Sequence, residues 1–112
     1  MKKDVTIYVD DMLEAIDAIE RYVGGMDEVT FSQKDFMQDA VIRQLAIIGE
    51  ASRHIPQEDM NKAPEIPWRK ISDFRNVLIH EYSGISLGTV WQIVVAQLPI
   101  LKQQLLSLKT LI

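Results

Sequence analysis

The sequence predicts an all-α fold, an up-and-down four-helix bundle with a kinked C-terminal helix. Three observations carry this expectation. Apolar residues recur at spacings of three and four through most of the chain, and no stretch alternates as a half-buried strand would. Gly24-Gly25, Pro56 and Ser83-Gly84 punctuate the periodic segments. At 112 residues the chain reads as one domain, 1–112, able to bury roughly 60–70% of its unfolded surface in a core.

The first helix is expected from about Asp4 to Val23, where Val5, Val9, Met12, Ile16, Ile19 and Val23 share a stripe that Gly24-Gly25 ends. Thr30-Phe-Ser-Gln33 has the form of a capping box before a short turn. The second helix spans about Asp35 to Ile55, with Met37, Val41, Leu45 and Ile48 on a wide apolar arc, and breaks at Pro56. Residues 56–67 hold three of the four prolines and read as a linker with room for one helical turn. Pro67 suits the first position of the third helix, where no amide bond is lost. That helix presents Trp68, Ile71, Phe74 and Leu78 on one face and ends near Ser83-Gly84.

The fourth helix, about Ser86 to Leu108, has the most regular pattern. Leu87, Trp91, Val94, Leu98, Leu101, Leu105, Leu108 and Ile112 alternate spacings of four and three, a heptad seam suited to shallow packing along another helix. Pro99 lacks an amide, so the Val95 carbonyl is expected to lose its partner and the helix to bend without ending. Period alone leaves two uses of the seam open, the chain's own core or a second copy. The core is the leading expectation.

Composition narrows the function. Hydrophobic residues make up 47% and charged residues 25%, as in a globular protein. With no cysteine, thiol catalysis, disulfides and Cys-based zinc sites are excluded. The start, MKKDVTIYVDDM, places acids where a signal peptide needs an apolar run, and no segment approaches the roughly 18 apolar residues of a membrane span. A cytoplasmic protein without membrane attachment is expected. The net charge of −4 argues against indiscriminate nucleic-acid binding. Residues 1–39 hold ten acids against four bases and residues 40–112 six against eight, so any basic surface belongs to the C-terminal two-thirds.

The third helix ends in "RNVLIHEY", residues 75–82, which combines groups able to bind phosphate and move protons. An arginine fork grips two phosphate oxygens and stays charged, and histidine alone titrates near neutrality. Together they can cleave RNA without a metal. Histidine assists attack of the ribose 2′-hydroxyl on phosphorus or protonates the leaving oxygen, and arginine stabilises charge growing on the phosphoryl oxygens. Geometry constrains this idea, because positions five apart on a helix diverge by about 140°. Arg75 and His80 therefore cannot share a pocket on one straight helix. Either the last turn unwinds near Gly84, or a twofold dimer supplies the complementary group. Taken alone, the spacing favours the plainer reading: a structural His80 at a helix end, Arg75 as a rim residue covering apolar surface and Tyr82 as a packed aromatic.

The wider pattern resembles the HepT-like toxin branch of the HEPN superfamily. "RNVLIHEY" is similar to its R-x-x-x-x-H-x-Y signature, "DAVIRQLAIIGEA" (39–51) to its second helix, "PEIPWRKISDFRNVLIHEY" (64–82) to its linker and third helix, and "VWQIVVAQLPILKQQL" (90–105) to its fourth. The resemblance implies a four-helix-bundle homodimer acting as a metal-independent endoribonuclease, the toxin of a toxin–antitoxin pair. It implies catalytic roles for Arg75 and His80, with Asn76 orienting the site. It further implies that Tyr82 receives AMP from a minimal nucleotidyltransferase antitoxin, whose added phosphate would block the arginine. No cofactor and no metal are expected. The competing expectation is a non-catalytic subunit or adaptor that binds nucleotide or substrate for a nucleotidyltransferase.

Other candidates have plainer readings. Glu50 and His54, four apart, can present a metal pair, but with Arg43 on the same stripe an ion-pair or interface network is the leading reading. Trp68-Arg69-Lys70 can stack on RNA, against a core tryptophan followed by two solvated bases. Asp10, Glu14 and Asp17 share a face that reads as solvated, with partner docking the minority view.

Overall fold

A computed structural model describes residues 4–81 and 84–112, and these form helices and connections with no strand among them. Helix α1 spans Thr6–Val23, α2 Glu28–Ser32, α3 Asp35–Ser52, α4 Gln57–Met60 and α5 Trp68–His80. The C-terminal helix consists of α6 (Leu87–Gln92), a π-helical turn (Ile93–Gln97) and α7 (Leu98–Lys109). The expected long helices are thus present, with α1 packed on α3 and α7, and α3 packed on α5.

Local chemistry explains where the boundaries fall. Asp4 Oδ1 accepts the Thr6 N–H at 2.9 Å, and this backbone bond holds the Asp4 carboxyl below its ordinary pKa. After α1 the chain turns at Gly25, whose φ of +75° lies in the left-handed region that glycine tolerates best. The capping box expected at Thr30 is not what forms. Asp27 Oδ1 accepts the Thr30 N–H at 2.8 Å and starts a short helix, while Gln33 sits at its C-terminal cap. Phe31 on that helix is buried against Trp91, ring centroids 5.1 Å apart, which ties α2 to α6.

Helix α3 ends at Ser52 rather than Ile55. The N–H groups of Arg53, His54 and Ile55 each reach only three residues back, a tightened winding suited to a chain approaching Pro56, which disfavours α geometry before it. The linker does contain its single helical turn, α4. Pro67, expected inside the third helix, caps it instead. Its ψ of 68° is not helical, and Trp68 is the first helical residue.

The disturbance expected at Pro99 sits one turn earlier. The Leu98 N–H bonds Ile93 O, five residues back, in a π turn that accommodates one extra residue before the proline. The helix then continues as α7. Trp91, Val94, Leu98, Leu101, Leu105 and Leu108 are buried in the chain's own core, so the heptad seam closes the protomer. Across the α1–α7 contact, Lys102 Nζ lies 3.1 Å from both Asp17 and Glu20, and Lys109 Nζ lies 2.6 Å from Asp10. Two of the three acids read as a solvated face therefore pair with α7 lysines.

Candidate functional site

Arg75 lies midway along α5, where that helix crosses α3 at Gly49. A Cβ added to Gly49 would stand 2.3 Å from Arg75 Cβ and 3.3 Å from the Ile71 carbonyl oxygen. The helices approach this closely because residue 49 has no side chain. The crossing brings the Arg75 side chain against α3, 23% exposed, with Nη2 2.9 Å from Glu50 Oε2. On its other side Nη1 donates to Asn76 Oδ1 at 3.3 Å. The Nε–H is buried and has no acceptor.

Glu50 is itself held from the turn that follows its own helix, since its Oε1 lies 3.4 Å from His54 Nε2. The His54 ring in turn stacks on Tyr8 of α1, centroids 5.0 Å apart and planes inclined by 16°. Tyr8, His54, Glu50, Arg75 and Asn76 thus form one row of contacts across three helices. The expected ion-pair network is real, but Arg43 makes no ion pair among the described residues, and Arg75 joins in its place. No group of three or more metal-ligating side chains occurs among the described residues.

This arrangement adds little stability. Glu50 is about half exposed, and an exposed ion pair contributes about 0–1 kcal/mol. A buried N–H without an acceptor costs about 1–3 kcal/mol.

His80 lies in the last turn of α5 and is exposed. The helix stays regular through His80 and leaves it at Glu81, so Arg75 and His80 keep their divergence of about 140°. No hydrogen bond or ion pair joins them among the described residues. Unwinding of the helix therefore does not bring the two together in one chain. Asn76, by contrast, touches the Arg75 guanidinium. Tyr82 lies outside the described residues. Val77, on the His80 side of α5, and Ile79, on the Arg75 side, are also exposed, at 38% and 47%.

Two readings of neighbouring residues resolve. Trp68 packs against the core and donates Nε1–H to Ala63 O at 3.1 Å, which makes it a structural clamp on the linker. Arg69 faces Asp73 at 3.9 Å on the surface. The sequence reading missed Gly49 and Tyr8. A glycine inside an otherwise apolar helix was the available signal for the first, and nothing local marked the second. An apolar groove of about 840 Å³ runs between α3, α5 and the C-terminal helix, lined by Leu45, Ile48, Ile71, Phe74, Ile93 and Leu101 among others. Neither Arg75 nor His80 lines it.

The sequence pattern of the ribonuclease HepT-like family matches residues 12–108. "Gamma-glutamylcyclotransferase and putative RNase MJ0434" of Methanocaldococcus jannaschii is 42% identical over 108 residues, 96% of this chain but 49% of that protein, so the chain spans about half of it. "Probable ribonuclease HepT" of Thermococcus cleftensis is 41% identical over 107 residues, 91% of this chain and 93% of that protein. "Putative RNase MJ1380" of Methanocaldococcus jannaschii is 37% identical over 103 residues, covering 92% and 94%. No solved structure matches the chain.

Proposed function

We propose that this chain, which belongs to the ribonuclease HepT-like family, is a metal-independent endoribonuclease whose site forms between two copies of a four-helix bundle. The observation that carries this reading is the pairing of a held arginine with a remote histidine. Arg75 is fixed at the α3–α5 crossing, and His80 stands exposed at the helix end, turned away by about 140°. A twofold axis beside α5 would set His80 of one chain opposite Arg75 of the other. The exposed Val77, about 60° from His80 around the helix, gives that face an apolar component to bury.

In this site His80 takes the proton of a ribose 2′-hydroxyl. The 2′-oxygen bonds to phosphorus and the bond to the 5′-oxygen breaks, that oxygen taking up a proton from water, which leaves a 2′,3′-cyclic phosphate and a 5′-hydroxyl. Arg75 stabilises the charge on the phosphoryl oxygens, and Asn76 orients its guanidinium through the bond to Nη1. The chain acts as a cytoplasmic toxin, and a minimal nucleotidyltransferase antitoxin silences it by adding AMP to Tyr82. That group would set phosphate charge beside Arg75.

Mixing inactive variants tests the shared site. Arg75→Ala and His80→Ala homodimers should each lose RNA cleavage. Exchanged subunits should recover roughly a quarter of wild-type activity, because half the dimers are mixed and each has one intact site. Cleavage that survives both single substitutions, or no recovery on mixing, sinks the composite site. Activity should persist in excess EDTA. The net charge of −4 favours a second reading, a non-catalytic subunit that binds nucleotide for a nucleotidyltransferase. Nucleotide binding without RNA cleavage by the purified chain would select it.

A further inference from the structure

We propose that Glu50 is the positioning residue of the Arg75 site, fixing the guanidinium so that its free N–H groups form a fork for phosphate. The proposal rests on the reading of Arg75 as the phosphate-binding group of a ribonuclease. Arginine has five N–H donors. Here one on Nη2 is engaged by Glu50 and one on Nη1 by Asn76, while the Nε–H is enclosed and without an acceptor. One N–H remains on each Nη, available to phosphoryl oxygens.

The hold on Glu50 is what makes it more than a passing surface contact. One carboxylate oxygen meets Arg75 at 2.9 Å and the other faces His54, whose ring is stacked on Tyr8. The carboxylate therefore has a partner on each side, Arg75 from α5 and His54 from the turn that follows α3. Gly49, next to Glu50 in sequence, sets the depth of the crossing by admitting the Arg75 Cβ. Loss of the carboxylate would leave the guanidinium with Asn76 alone. An arginine free to swing samples many geometries, of which few suit the transition state, and small displacements of a positioned group cost large factors in rate.

The experiment measures cleavage of an RNA oligonucleotide by the full chain, well below its melting temperature, for wild type, Glu50→Gln and Glu50→Ala. Glu50→Ala should lower kcat by roughly 10- to 100-fold, with Glu50→Gln, which keeps an acceptor at the same place, between it and wild type. In an Arg75→Lys background, where the fork is already gone, Glu50→Ala should cost less than about threefold. Nitrogen-15 spectra of the arginine side chains, with Arg75 assigned by its loss in Arg75→Lys, should show restricted guanidinium rotation in wild type and free rotation in Glu50→Ala. A kcat that rises on removing Glu50 makes the carboxylate a brake and overturns the proposal. So does a kcat that falls only as far as the folded fraction falls, or an equal loss in both backgrounds. If Arg75→Ala cleaves as wild type, the ribonuclease reading of Arg75 itself fails. If Arg75→Ala is inactive and the Glu50 variants are unaffected, only the positioning role fails.

Discussion

Helix α1 buries seven of its residues and meets α7 through the leucine seam and two lysine bridges, whereas α5 fully buries only Leu78. Both are amphipathic helices of one small domain. The first pair holds the fold by area removed from water, with ion pairs at its rim. Helix α5 is held by one close approach at Gly49 and by half-buried side chains, and it carries the polar residues. Stability and the proposed chemistry thus fall on different helices, and a helix that buries few side chains fully belongs to the less stable part of a domain.

The contrast can be broken most strongly in the seam. Leu105 is fully buried, so Leu105→Ala should cost about 2–5 kcal/mol, read as a shift in the urea midpoint at constant slope. A cost no larger than that of an exposed leucine would mean that the seam does not carry the fold. Gly49→Ala comes next. The alanine gains about 1 kcal/mol of helix propensity, but its Cβ meets Arg75 Cβ at 2.3 Å, and such overpacking costs about 1–3 kcal/mol. We expect net destabilisation together with loss of cleavage, and a stabilised, active variant would remove Gly49 from the account of the site.

Arg75→Met should change stability by no more than about 1 kcal/mol, since it removes both a half-exposed ion pair and an unsatisfied N–H. Cleavage should nevertheless disappear. Unfolding of the variant at ordinary temperature would show that Arg75 is a structural residue. The smallest effects concern pH. Backbone bonds from Thr6 and Thr30 hold Asp4 and Asp27 below the ordinary 3.8, so their stabilisation is present above that pH and is lost as pH falls through the lowered values. Glu20, and then Asp17, raise Lys102 above the ordinary 10.5, so its contribution is complete below that pH and lost as pH rises through the raised value. Lys102→Met should therefore lower the melting temperature below about pH 10 and leave it unchanged above the raised value, removing the alkaline fall that Lys102 contributes.

Much of this was readable in the chain itself. The periods of α1, α3 and the seam state which face is buried, and the five-residue step from Arg75 to His80 states that they diverge. What could not be read was contact between helices. Nothing near Glu50 in sequence announces Arg75, and nothing near His54 announces Tyr8, because period specifies a face but not its neighbour. Local errors had local causes. Asp27 out-competed Thr30 as the cap of α2, and Pro67 stopped one residue short of the helix it introduces.

The π turn at Ile93–Gln97 has a consequence for the length of the chain. It stores one residue more than an unbroken α-helix would need between Gln92 and Leu98. Removing a single residue there should let ordinary α winding resume with the leucines of α7 still facing α1. Removing one between Ile100 and Leu108 would turn every later leucine by about 100°, so this helix can shorten by one residue at a single place.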